Sequence, residues 1–492
     1  VVEATLADKG PDVALFLGGE FPVNLAARGL LADVSRMDGY DEMTRLYQDT
    51  AMVPYQYEGG TYGLPLTRSW AMMFYRKDVL SELGFTQAPQ TWEELIDMLP
   101  ALQRSYMSAG LVLPAVAADA NQATISAATE SGLTFASLLL QRGQNYYNSA
   151  QTKTTFDTNA AIDAFEMWTD FYTKYDFDQQ YDAFSRFRTG EYPVVVSDYC
   201  TFFNQLAVAA PEIDGLWGFA PIPGTLQEDG TISHAVNSNN TGAVIFNKVD
   251  KKTNGMDNAW TFLKWFCSTE VQVEYGTQIE GLLGQMGRYA TANTEALTQL
   301  AWSTDEANTI LGAMDELEEI PIIPASYSVT RNVMNVFRDV VNNNENPRDT
   351  LMSYNRDINE EITRKRENIG LDSYREGGNP LGYCRDWQKN PTGKPAAHVA
   401  GGEAEQGKLS HDRSVHAVFL GIYHRAGADV PAYGLYGLQH GTDAEIHRTV
   451  QLHHPVPRGQ GFYPVHSCYA GVCPVHRTDQ LCAVLPAGVA HQ

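Results

Sequence analysis

The densest set of metal-type side chains lies near the end of the chain. His466, Cys468, Cys473 and His476 offer imidazole and thiolate ligands within a short span. Their spacing, His-x-Cys-x4-Cys-x2-His, fits no zinc pattern with a defined geometry, so no metal site is assigned. Covalent chemistry has no motif either: Gly-x-Ser-x-Gly, His-Glu-x-x-His and Gly-x-x-x-x-Gly-Lys-Ser/Thr are all absent. Two carboxylates about 5–10 Å apart could hydrolyse a glycoside. With 51 acidic residues before residue 381, however, counting carboxylates selects no pair. Position is more informative. Glu20 and Phe21 stand just past an apolar run at 11–17, Pro-Asp-Val-Ala-Leu-Phe-Leu, ended by Gly18-Gly19. That is the carboxyl end of a strand, where open α/β sheets bind ligands.

The elements behind these residues read as an α/β layer fold. The run at 11–17 suits a buried parallel strand, and the stretch from Phe21 to Leu31 suits a helix. Tyr57 to Tyr62 reads as a hairpin around Gly59-Gly60. Ala71 to Tyr75 is a second apolar strand. Thr91 and Glu94 form a capping box that opens a helix. Ile162, Phe165, Trp168, Phe171 and Tyr175 recur at helical spacing, as do Ala259, Phe262, Leu263 and Phe266. Pro347 after Asn346 starts a late helix. Trp92, Trp168, Trp260 and Trp265 sit on amphipathic helices and are expected in the core.

The 492 residues are enough for two or more folding units, and 43% are hydrophobic. No apolar run approaches the roughly 20 residues of a membrane helix. The net charge of −24 opposes binding to nucleic acid or to an anionic membrane surface, and permits neutral or cationic ligands. Composition changes abruptly near residue 372. Of 12 His, only His234 precedes residue 390. Residues 381–492 hold 9 Lys+Arg and 8 Asp+Glu, leaving 26 and 51 to residues 1–380, so the acidity belongs to the body alone. Residues 372–492 show no sustained period and are expected to be an irregular tail, disordered or never selected to fold, as in a shifted reading frame.

The body resembles the extracellular solute-binding protein family 1, the maltose-binding-like group of ABC importers. The resemblance runs from about residue 5 to 371 and rests on four stretches. They are Asp8–Val13 with Gly29–Asp33; Tyr62–Pro65 with Met73–Leu80 and Pro89–Leu95; Phe156–Thr158 with Ala161–Phe165; and Ala259–Phe266 with Ser268–Gln272. Family members carry a secretion signal, often with a lipid-anchored Cys, and a strand–helix–strand ahead of the Pro-Asp-Val strand. These are expected to be missing here, which marks the chain as a fragment.

The resemblance implies a two-lobed, periplasmic-binding-protein-like (type II) fold with three hinge crossings, near 108–116, 237–245 and 286–293. Lobe I would comprise 1–110 and 242–288, lobe II 111–241 and 289–371. It also implies a monomer outside the cell, membrane-anchored through a lipoprotein signal, that binds a carbohydrate by hinge closure and delivers it to ABC permease subunits. Neither cofactor nor enzymatic activity is implied. The alternatives are a secreted carbohydrate-active hydrolase and a receptor that feeds a signalling partner.

A sugar offers apolar faces and a rim of hydroxyls, so aromatics, amides, carboxylates and Arg are its expected contacts. The candidates are Glu20 and Phe21; Trp70, which also suits a core; Glu130; Asp198 and Tyr199, after a strand at Pro193–Val196 where the family places a stacking aromatic; Asn239 and Asn240 at the second crossing, which also suit a turn; Arg288 and Tyr289 at the third; and Tyr327 and Arg331 ahead of a late helix, near a second-lobe contact of the family.

Overall fold

The computed structural model describes residues 10–111, 135–251 and 253–371 and, as backbone, three strands between 415 and 452. The apolar run after Pro11 forms strand β1 (Val13–Gly18), buried along most of its length, and Pro22 opens the short helix α1 (Phe21–Ala26) behind it. The hairpin at Gln56–Tyr57 and Gly60–Thr61 follows, turning through positive φ at Glu58 and Gly59. Strand β2 (Leu64–Arg76) is 13 residues long and almost wholly buried, as expected of a strand covered on both faces. Helix α2 (Trp92–Arg104) starts at Thr91, whose hydroxyl accepts from the N–H of Glu94 at 3.2 Å. The returning Glu94 carboxylate takes the N–H of Gln90 at 2.6 Å, one residue earlier than the capping box requires.

Strand β3 (Ala109–Leu111), helices α3 (Phe135–Leu140) and α4 (Asn159–Thr173), strand β4 (Val194–Asp198), helix α5 (Tyr199–Ala209) and strands β5 (Trp217–Pro221) and β6 (Ser238–Ile245) come next. Helices α6 (Gly255–Phe266), α7 (Ser326–Asn343) and α8 (Pro347–Asn368) follow, with further helices at Thr269–Leu283 and Thr304–Met314 between α6 and α7. Asn346 caps α8 through the N–H of Asp349 at 3.0 Å, with Pro347 at its first position, as the spacing predicts. Helices α4, α7 and α8 pack on one another over an aromatic cluster in which Trp168 lies 4.4 Å from Phe337 and Phe135 lies 5.5 Å from Phe165.

Two sheets share β2. Its first half, up to Trp70, pairs antiparallel with β6, which pairs in turn with β1. Its second half, from Ala71, lies between β4 and β5, and β3 runs parallel to β4. The chain thus passes from one lobe to the other at Trp70-Ala71. The expected first crossing near 108–116, with 71–110 in the first lobe, is corrected: residues 71–76 hydrogen-bond into the second sheet. Period-2 patterning reveals a strand and not its partners, so the switch within one unbroken strand leaves no mark in the sequence.

The register slips at Thr241-Gly242, opposite Pro65, which has no N–H to give the ladder. Gly242 is required there. A Cβ would sit 2.5 Å from the Tyr55 ring and 2.7 Å from the Leu64 carbonyl.

Of the four Trp expected in the core, three are there, while Trp265 is 52% exposed. It lies off the Ala259–Leu263–Phe266 stripe of α6 and packs at a tilt on Phe262 and Phe266. Residues 401–492 form a separate unit. Within it, β7 (Val415–Tyr423), β8 (Ala432–His440) and β9 (Ile446–Leu452) pair as an antiparallel meander. These strands stand within the residues expected to be an irregular tail; backbone pairing needs no clean hydrophobic alternation. His466, Cys468, Cys473 and His476 lie outside the described residues.

The crossing is tied by one buried ion pair. Arg68, 1% exposed, donates through Nη2 to Oε1 of Glu319 at 2.8 Å, with Glu319 8% exposed. The guanidinium also reaches Ser238 Oγ at 3.1 Å, Gln48 Oε1 at 2.9 Å and Thr50 Oγ1 at 2.9 Å. Ser238 donates its hydroxyl to the Glu319 carboxylate, and its N–H does so at 3.3 Å. Burial pushes the Glu319 carboxyl up, and Arg68 and Ser238 oppose the rise. Two expectations follow. Arg68→Met or Glu319→Leu alone strands a buried charge and costs about 3–5 kcal/mol in urea unfolding, whereas the double variant costs much less than the sum; additive losses would refute this. Gly242→Ala costs about 1–3 kcal/mol in the same assay, because Tyr55 and the backbone of β2 must give way.

Candidate functional site

The carboxyl end of β1, the Asn-rich start of β6 and the segment ahead of α7 converge on a cavity of about 60 Å³. Gly19, Pro54 and Asn240 line it from the side of the first sheet. Tyr146, Tyr147, Glu319, Ser326 and Thr330 line it from the other. Such a space holds only a few water-sized guests, so a larger one requires the walls to separate.

The two tyrosines follow α3 and are almost buried, at 6% each. Their rings meet at 6.3 Å, nearly perpendicular, and Tyr146 is held from behind by Phe156 at 5.0 Å. Tyr147 Oη lies 3.4 Å from Ser326 Oγ, and burial raises its pKa. Asn145 braces the same wall, donating Nδ2 to the Glu319 carbonyl at 2.9 Å. Asn240 shares its amide between Ser238 Oγ at 3.3 Å and the Tyr55 hydroxyl at 3.4 Å. The lining is thus aromatic and hydrogen-bonding, and its one buried carboxylate, Glu319, is neutralised by Arg68. It is suited to an uncharged guest with hydroxyls and apolar C–H faces.

The expected residues fall into three groups. Asn240 lines the cavity. Glu20, Phe21, Tyr327 and Arg331 flank lining residues at its edge: the Glu20 carboxylate accepts the N–H of Tyr327 at 2.8 Å, and Phe21 is 53% exposed. Burial raises the Glu20 pKa, opposed by the Tyr327 N–H, Asn24 and Lys365. Arg331 is exposed, and Asn239 is half-buried in β6, opposite Ser69.

Of the remaining expected residues, those described do not line this cavity. Trp70 and Tyr199 are 2% and 0% exposed and pack ring against ring at 4.6 Å, so both serve the core where β2 changes sheets. Asp198 is buried and caps α5 through the N–H of Thr201 at 2.9 Å, while Ser69 donates to it at 2.5 Å. Burial raises its pKa, and these bonds resist the rise. Arg288 is wedged between the rings of Phe203 and Trp302, at 5.2 and 4.9 Å, and pairs with Glu280 at 3.2 Å. The Tyr289 hydroxyl meets the Leu66 carbonyl and Gln272, at 3.1 and 3.0 Å. Asp198 and Tyr289 thus spend their polar groups on the protein, whereas Trp70 Nε1 and Tyr199 Oη are buried without a hydrogen-bond partner among the described residues. Glu130 lies outside the described residues.

Tyr146, Tyr147, Ser238 and Glu319 were not among the expected residues. The signal for the first two was present: Asn145-Tyr146-Tyr147-Asn148 is an aromatic pair flanked by amides. Glu319, one of many acidic residues, had none.

The architecture has known counterparts. The sugar-binding protein MalE of Xanthomonas citri aligns with a TM-score of 0.60 and 20% identity, over 75% of this chain and 88% of that one. A solute-binding protein of an ABC transporter from Thermotoga lettingae, solved with α-D-tagatose, aligns at 0.57 and 18%, over 73% and 88%. The cyclic α-maltosyl-1,6-maltose binding protein of Arthrobacter globiformis aligns at 0.57 and 18%, over 74% and 87%. At such identities the likeness is one of fold, and the fold is two-lobed. In sequence, binding proteins of Brucella abortus and Brucella suis are 38% identical over 61 residues, so the match spans only about 15% of those relatives. Residues 1–309, well over half of the chain, match the family of bacterial extracellular solute-binding proteins, and the chain belongs to that family.

Proposed function

We propose that this protein captures a carbohydrate outside the cell, between its two lobes, and hands it unmodified to the permease of an ABC importer. The observation that carries the reading is the cavity between the two halves of the β2 crossing, with Tyr146 and Tyr147 on one wall and Asn240 on the other. Aromatic rings cover sugar faces, and amides and hydroxyls satisfy the rim. Each wall holds part of the lining, so a guest touches both only when the lobes are shut, and it favours that arrangement by the contacts it gains there. The cavity, at about 60 Å³, fits a mechanism in which the lobes swing apart to admit the sugar and then close. The proteins that share the fold include one named for a maltose-type sugar and others solved with maltose and with tagatose, which supports a sugar as the guest. Among the described residues no helix is long and apolar enough to cross a membrane. Anchoring through a lipoprotein signal, and recognition by the permease of the closed lobes of a monomer, belong to the same proposal.

Three measurements test this. A thermal-shift screen of the full chain against mono- and oligosaccharides should give one class of sugar that raises the melting temperature with its concentration, as a guest of the native state must. Chromatography of that sugar after prolonged incubation should return it intact; shortened product would make the protein a hydrolase. Tyr147→Phe, which deletes a hydroxyl and keeps the ring, should weaken binding about 5–50-fold with little change in melting temperature, the scale of one buried hydrogen bond left unmade. Unchanged affinity in isothermal titration would remove Tyr147 from the site.

A further inference from the structure

Helix α7 starts badly. Its 18 residues carry a full helix dipole, and its first N–H groups have no intrahelical partner. The residue at its N-cap is Ala325, which has no side-chain acceptor to offer. Across the body, α4, α5, α6 and α8 each begin at Thr158, Asp198, Asn254 and Asn346, and all but Asn254 accept a backbone N–H through their side chains. At α7 the acceptor comes from elsewhere. The Glu20 carboxylate, 307 positions away in sequence, takes the Tyr327 N–H at 2.8 Å. Glu20 follows β1, which belongs to the first sheet, whereas α7 packs on α4 and α8 beside the second. The bond therefore spans the lobes. It closes one edge of the cavity, since Gly19 and Ser326, the chain neighbours of its two ends, both line that space. The Lys365 charge on α8 favours the ionised Glu20, and Asn24 hydrogen-bonds its carboxylate from the first lobe.

We propose that Glu20 is a latch: a first-lobe carboxylate that supplies the missing N-cap of α7 only when the lobes are together, and so holds the closed arrangement. The inference rests on the two-lobed binding reading, and it makes Glu20 a positioning residue whose effect does not require contact with the guest. The bond is charge-assisted and aligned with the helix dipole, and is lost to water when the lobes part. Its net strength adds to the closed state alone and shifts the open–closed balance by that amount.

The test uses the full 492-residue chain without sugar. Small-angle X-ray scattering and the distance between one dye on each lobe report the open and closed populations. Glu20→Ala should lower the closed-to-open ratio about tenfold, the scale of one charge-assisted hydrogen bond, with Glu20→Gln between it and the native chain. Both variants should keep the native melting temperature, because Glu20 is only half-buried. Scattering profiles and dye distances that superimpose for all three proteins would overturn the latch. A change in melting temperature without a change in the open–closed balance would make Glu20 merely structural. The outcome is separable from the sugar reading: a failed sugar screen with an opened Glu20→Ala variant refutes the guest and keeps the latch, whereas a successful screen with no opening refutes the latch alone.

Discussion

Arg68 is the side chain on which the arrangement turns. A guanidinium buried to 1% exposure is tolerable only if its donors are met, and here they are met by residues from several parts of the chain: Gln48, Thr50, Ser238 and Glu319. Arg68 lies on β2 two residues before that strand leaves the first sheet. Ser238 opens β6, which pairs with it, and Glu319 belongs to the segment that leads into α7. Satisfying one cation thus fixes the crossing strand, its partner and the wall of the second lobe with respect to one another. A planar fork of donors suits this role better than an ammonium would, because each direction is specified.

The same network sets the electrostatics of the cleft. Despite a net charge of −24, the cavity offers no uncommitted buried carboxylate. Glu319 is paired with Arg68, and Glu20, at the edge, is held by the Tyr327 N–H. What remains is a ring of phenol, hydroxyl and amide groups beside two tyrosine rings. Such a surface rewards hydroxyl-bearing neutral guests and gives an isolated charge no counterion, so selectivity arises from what the protein has already paired internally.

The candidates that do not line the cavity share a setting. Trp70, Asp198, Tyr199, Arg288 and Tyr289 have the residue types of a sugar site and stand at the ends of strands or near crossings. Asp198 caps a helix, Arg288 lies between two aromatic rings, and Trp70 and Tyr199 pack ring on ring, although Trp70 Nε1 and Tyr199 Oη find no hydrogen-bond partner among the described residues. A crossing is where two layers meet and must be packed, so it attracts the same large amphipathic residues that a ligand site uses. Residue type cannot separate the two, because the difference lies in which way the polar end points.

Much of the local structure was legible in the chain alone. Thr91 and Asn346 declared helix starts, Gly59-Gly60 declared a hairpin, and the aromatic periodicity of 162–175 declared a helix, because backbone hydrogen bonding and amphipathic spacing act over a few residues. The acidic charge and the α/β alternation were equally plain. Tertiary structure alone decided that β2 serves two sheets, that Arg68 finds Glu319 251 positions away, and that Glu20 caps a helix whose own sequence brings no cap. Those pairings are chosen by burial and by the need to satisfy each buried polar group once the lobes form, and that need has no fixed spacing along the chain.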